Sequence, residues 1–106
     1  MTDRQLLAAA QPEAAFQKQI VDLAELCGWW AWHVPDSRRM NAGLLDLFLL
    51  RPPELLLWEV KTERGRVRPE QQAVIDALRQ VEHVSTGIVR PSDWLSVEAV
   101  LRAPRP

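Results

Sequence analysis

Three ionisable residues, Asp46, Glu59 and Lys61, fall in the most apolar part of the sequence, between Gly43 and Lys61. The residues around them are Leu47-Phe48-Leu49-Leu50 and Leu55-Leu56-Leu57-Trp58, with Pro52-Pro53 between. A charge placed in an apolar sheet costs several kcal/mol unless it is paired or bound to a metal. Glu59 and Lys61 are two apart, so on a strand their side chains leave the same face. Asp46 comes alongside if the preceding strand pairs in a suitable register. Two carboxylates at a strand pair make a hard-oxygen site suited to Mg²⁺ or Mn²⁺, which keep open positions for water and phosphate oxygens. A lysine beside them lowers the cost of forming hydroxide and can hold a phosphate oxygen. The chemistry that combination suits is hydrolysis of a phosphodiester. The plainer account is a Glu59–Lys61 ion pair at a solvated strand end, with Asp46 opening a loop.

The elements that must position these groups follow from periodicity and punctuation. Pro12 to Cys27 is expected as a helix: Pro12 suits its first position, Glu13 its positive end, and Gly28 the place just past its C-terminus. Phe16, Ile20, Leu23, Ala24 and Cys27 recur at helical spacing, with Glu13 on the edge of that stripe. Trp29 to Val34 is expected as a strand with Trp29, Ala31 and His33 on one face and Trp30, Trp32 and Val34 on the other. Its tryptophans, with Trp58 and Trp94, are expected mostly in the core, and an exposed one would be able to stack on an unpaired base. His33 among them is expected to pack rather than to react.

Residues 35–43 form a polar loop carrying Arg38 and Arg39. Leu44–Leu50 and Leu55–Lys61 follow as strands whose short connection requires an antiparallel hairpin. Both are almost continuously apolar, which predicts cover on both faces. Pro69 opens a second helix to about Val81, with Val74, Ile75, Leu78 and Val81 buried and Gln71 turned to the same surface. Val84–Arg90 is the fourth strand. Ser92 is placed to cap a last helix from Asp93 to about Leu101. The order is α-β-β-β-α-β-α, predicting an α/β fold with a mixed central sheet of about four strands flanked by helices.

With 106 residues the chain suits a single domain over 1–106, with 1–11 and 103–106 as loose tails. The net charge of −1 gives no overall pull on nucleic acid. Locally the balance differs, since Lys61, Arg64, Arg66 and Arg68 stand against one acid, Glu63, over residues 61–68. Arg38, Arg39, Arg64, Arg66 and Arg68 are thus candidate phosphate contacts, or else solvated loop charges. A lone cysteine, Cys27, excludes a disulfide within the chain and a Cys-based zinc site, and fits a reducing, cytoplasmic setting. No apolar run approaches the roughly 20 residues that span a bilayer, and no signal peptide is evident.

In this order and spacing the residues resemble the PD-(D/E)xK nuclease superfamily, and within it the VRR-NUC family of phage and bacterial nucleases. The resemblance rests on Glu13 with Gln17, Gly43-Leu44-Leu45-Asp46, Trp58-Glu59-Val60-Lys61-Thr62, Gly65-Arg66, Pro69-Glu70-Gln71 and Arg90-Pro91-Ser92-Asp93-Trp94. It departs from the family at Leu45, where proline is usual. The resemblance implies a restriction-endonuclease-like core. Asp46, Glu59 and the Val60 carbonyl would be metal ligands, Lys61 would orient or activate water, and Glu13 and Gln71 would complete the site, Glu13 as a further candidate ligand. An acid at a helix start is also ordinary capping, so Glu13 keeps both readings. The expected activity is endonucleolytic cleavage of DNA with Mg²⁺ or Mn²⁺, structure-selective toward branched or Holliday-junction substrates, by a homodimer. Alternatives are a nicking or restriction-type enzyme, an RNA-directed nuclease, and a catalytically inactive nucleic-acid-binding module.

Overall fold

The computed structural model describes residues 2, 3, 6, 10–34 and 43–105, so Arg38 and Arg39 lie outside the described residues. Helix α1 (Glu13–Leu26) is followed by strands β1 (Trp30–His33), β2 (Leu47–Arg51) and β3 (Glu54–Val60). Helix α2 (Pro69–Leu78) then crosses to β4 (Val84–Val89), and a 3₁₀ turn over Pro91–Asp93 leads into α3 (Trp94–Arg102). The element order is the one that periodicity predicts. The four strands form one open sheet in the order β1-β2-β3-β4, antiparallel across the first two pairs and parallel across the third. The fold is α/β with a mixed sheet. Among the described residues, no helix is long and apolar enough to cross a membrane.

Helix α1 ends where Gly28 takes φ +87°, a left-handed conformation that glycine adopts without strain. The turn lets the Gly28 and Trp29 N–H groups donate back to the carbonyls of Glu25 and Ala24. One sheet face then receives α1 and α3. Phe16, Ile20, Leu23 and Ala24 of α1 and Val97 and Leu101 of α3 pack on Leu47, Leu49, Leu56, Trp58, Val60 and Val89. Alternation places Phe48, Leu50, Leu55, Leu57 and Glu59 on the opposite face. Helix α2 reaches that face, where Ile75 is fully buried.

The structure corrects several expectations. Strand β2 begins at Leu47, not Leu44, because the Asp46 carboxylate takes the Val60 N–H itself, at 3.0 Å, and bends the backbone before the strand. Helix α2 stops at Leu78, which leaves Val81 exposed. Cover on both faces is incomplete: Phe48, Trp30 and Trp32 are exposed, so only Trp29 and Trp58 are buried, with Trp94 partly so. Ser92 sits inside the 3₁₀ turn with its N–H on the Glu63 carboxylate, and Asp93 accepts from the Arg90 N–H in the capping role.

Arg51 binds the core layers together. It continues the Leu47, Leu49 face of β2 and is buried, with its guanidinium 4.5 Å above the Trp29 ring. It donates to the carbonyls of Cys27, Leu101 and Ala103, the last at 2.6 Å, and so fastens the ends of α1 and α3 to the hairpin. Trp29 adds its indole N–H to the Leu101 carbonyl. Hydrogen bonds from a charged donor in the interior are worth about 1.5–3 kcal/mol each before the cost of burying the donor. Arg51→Ala is expected to destabilise the fold by roughly 2–4 kcal/mol. Urea denaturation followed by tryptophan fluorescence checks this.

Candidate active site

The carboxylates of Asp46 and Glu59 meet at the C-terminal end of β3. The β2–β3 register ends at Leu47 opposite Trp58, and Asp46, the residue just before it, lies close enough to Glu59 for its charge to act on that carboxyl. Glu59 is only 2% exposed, and Asp46, Lys61 and Gln71 are buried with it. Lys61 lies just beyond β3, with its N–H on the Val89 carbonyl prolonging the parallel ladder. Its Nζ stands 3.1 Å from Glu59 Oε2. Gln71 donates from Nε2 to the same oxygen at 2.9 Å. Its Oε1 accepts the Arg68 N–H at the start of α2, so the side chain is fixed at both ends.

Both Glu59 partners therefore sit on one oxygen. The other, Oε1, is buried without a hydrogen-bond partner. An orphaned carboxylate oxygen beside a second carboxylate is costly in the interior. The proton affinity of Glu59 records that cost. Burial and the Asp46 charge, opposed by Lys61, push its carboxyl up from 4.5 to about 7. Among the described residues no three His, Cys, Asp or Glu side chains converge, so the protein donors are two carboxylates and nearby main-chain oxygen. A set of one or two carboxylates is what Mg²⁺ accepts, since it keeps most of its water. The residues present fit a divalent cation.

The surrounding backbone is built to hold this arrangement. Gly43 has φ +88°, and a Cβ there would meet the Glu70 carbonyl oxygen and Val74 Cγ2, each at 2.9 Å. Only glycine lets the segment leading to Asp46 lie this close to α2, the helix that carries Gln71. On the other side, Arg90 donates from Nη1 to the carbonyls of Thr62, Glu63 and Gly65 at 2.7, 3.2 and 2.8 Å. It fixes the turn that follows Lys61. Sequence reasoning missed Arg90 and Arg51, because three carbonyls from a distant turn leave no trace in spacing. For Arg51 a signal existed: it continues the i, i+2 series of Leu47 and Leu49, the buried face of its strand.

The remaining candidates are placed as follows. Glu13 is half-buried in the first turn of α1, the helix that packs on β1 and β3. Arg64 and Arg66 are exposed on the loop between β3 and α2, and Arg68 is half-buried at its end. His33, expected to pack, is instead exposed and lines a cleft of about 380 Å³ with Gln17, Lys18 and Asp22 of α1, because β1 is the edge strand of the sheet. No protein-family model matches the chain, and neither a curated protein nor a solved structure matches it.

The raised Glu59 carboxyl has a direct consequence for stability. With its carboxyl pushed up to about 7, Glu59 of the metal-free folded protein is expected to hold its proton well above the 4.5 at which the unfolded chain releases it. The folded state thus binds more protons between those values, and its stability falls as pH rises through them, by at most roughly 3 kcal/mol, then levels off. Glu59→Gln is expected to flatten that slope, as followed by denaturant midpoints from pH 4 to 8. An unchanged slope would assign the titration to another group.

Proposed function

We propose that the protein is a metal-dependent nuclease that hydrolyses phosphodiester bonds of DNA. The observation that carries this reading is the meeting of two buried carboxylates, Asp46 and Glu59, beside the Lys61 ammonium, with Glu59 Oε1 buried and without a hydrogen-bond partner. A structural ion pair would need one acid and one base. A second carboxylate at the same place and an open carboxylate oxygen suit a divalent cation.

Asp46, Glu59 and the Val60 carbonyl would hold Mg²⁺ or Mn²⁺; Glu13, expected from the resemblance as a further ligand, does not converge with the two carboxylates. Such an ion polarises the scissile phosphate, makes hydroxide available near neutral pH and offsets charge on the leaving oxygen. The chain's own groups supply the rest. Asp46 is held by the Val60 N–H, and Gln71 fixes the Glu59 carboxylate from α2. Lys61 Nζ lies beside that carboxylate, where it can orient the attacking water or hold a phosphate oxygen. Arg64 and Arg66 extend positive charge from the same end of β3 toward the phosphate backbone. In-line attack by water would leave a 5′-phosphate and a 3′-hydroxyl. The order α-β-β-β-α-β-α, with its carboxylates at the end of the hairpin, supports a restriction-endonuclease-like core of the VRR-NUC type.

Cleavage of labelled linear, flapped and four-way DNA with Mg²⁺ or Mn²⁺ tests the assignment, with RNA as a parallel substrate. Asp46→Asn and Lys61→Ala are each expected to lower the rate by about a hundredfold or more. If both variants match the wild type, Asp46 and Lys61 do not belong to the active site. A branched substrate has two strands to cut, so the proposed enzyme is a homodimer. Light scattering should give twice the 12.1 kDa chain mass, and a strict monomer at working concentration would remove the dimer from the proposal.

A further inference from the structure

The sheet face that carries Glu59 is covered at one end only. Helix α2 closes the Glu59 end, and among the described residues no other helix packs on this face. Trp30 is 62% exposed, Trp32 52% and Phe48 37%, although all three are large apolar side chains on regular strands. The register sets Trp32 beside Phe48 and Phe48 beside Leu57, and it sets Trp30 beside Leu50 and Leu50 beside Leu55. Trp32 and Phe48 meet edge to face with ring centroids 5.4 Å apart. The row of Trp32, Phe48 and Leu57 lies two residues along the sheet from the row of Asp46 and Glu59, about 7 Å away at strand rise. Trp30 lies a further two residues on. Among the described residues of β2 and β3, no charged side chain lies between the rings and the carboxylates on this face.

Exposed aromatics on an open sheet offer flat surfaces on which unpaired bases stack, and the stacking is tolerant of sequence because every base has a π-face. A base inside a duplex is already stacked and cannot use them. We propose that Trp30, Trp32 and Phe48 form a stacking platform for unpaired nucleotides leading to the Asp46–Glu59 site. The placement of that strand at a scissile phosphate rests on the nuclease reading above. The substrate class narrows accordingly to nucleic acid with a single-stranded stretch beside the bond that is cut. Phosphate contacts would come from Arg64 and Arg66, exposed at the site end of β3, so the platform itself need carry no cations. This occupant suits the face better than a second copy of the chain. A copy packed over the rings would abut the carboxylate row two residues away and close its approach.

The test uses the full chain in the Asp46→Asn background, with Ca²⁺ present, so that binding is read without cleavage. Fluorescence anisotropy of a labelled oligodeoxythymidine is expected to show binding weakened about tenfold by Trp30→Ala and by Trp32→Ala, the loss of one stacked base. Binding of a blunt duplex should change less than twofold, and Trp32→Phe should retain most of the single-strand affinity. Equal losses on both ligands, or no loss on either, would overturn the platform. So would light scattering in which the two alanine substitutions together turn a dimer into a monomer, since the face would then belong to a second copy. The two readings fail separately. If single strands bind through the tryptophans but Asp46-intact protein cleaves nothing with Mg²⁺ or Mn²⁺, the nuclease reading fails and the binding surface stands. If cleavage depends on Asp46 while neither binding nor cleavage responds to Trp30 and Trp32, the platform alone fails.

Discussion

The structure turns on a close contact in its interior. Asp46 and Glu59 bring two carboxylates together in a buried cluster, in which Lys61 pairs with Glu59. In a low dielectric the repulsion between two such charges is far more expensive than at a surface. Burial and the Asp46 charge accordingly push the Glu59 carboxyl up to about 7, and its Oε1 has no hydrogen-bond partner to offset the cost. An interior built only for stability would replace such a group with a hydrophobic one of similar volume.

Much of the nearby sequence makes sense as support for that one point. Asp46 takes the Val60 N–H, so the residue that ends the first arm of the site is tied to the strand that carries the other. Gly43 permits the close approach to α2, and α2 returns Gln71 to Glu59. Arg90 gathers the carbonyls of the turn behind Lys61. Each of these contacts joins a different pair of elements, and each fixes a group whose displacement by an ångström would misplace a charge. Arg51 does the same for the far end of the molecule, where Trp29 and the ends of two helices meet.

Periodicity made the element order and the antiparallel hairpin legible, put Glu59 and Lys61 on one face of a strand and turned Gln71 to the buried side of its helix; that Gln71 meets Glu59 was implied only by the family resemblance. The periodic features depend on local spacing: two residues on a strand for Glu59 and Lys61, three and four on a helix from Gln71 to Val74 and Ile75. What spacing does not contain is whether anything lies on top of a face. Phe48 and Leu49 are neighbours in an apolar run, yet one is exposed and the other fully buried. The run reads as covered on both sides because a leucine is apolar whether or not a helix packs on it. Arg90 was hidden for a related reason, since its three acceptors are backbone carbonyls, which every sequence has. Arg38 and Arg39, outside the described residues, stay where the sequence left them.

The uneven cover of the sheet follows from chain economy. Among the described residues, helices of 14, 10 and 9 residues pack on the four-stranded sheet. Two are placed on one face, because α1 and α3 are needed together to bury Leu47, Leu49, Leu56, Trp58 and Val60. That leaves α2, about 15 Å long at 1.5 Å per residue, for the other face. It is spent over Glu59, where an uncovered carboxylate pair would be open to bulk water and its charges screened. Trp30, Trp32 and Phe48 are what remains. A chain selected for solubility alone would place polar residues at those positions, since β1 would pair as well with threonine as with tryptophan. The same face thus holds a dry carboxylate pair and a wet aromatic row in adjacent steps of the strand, and both depart from what stability alone would choose.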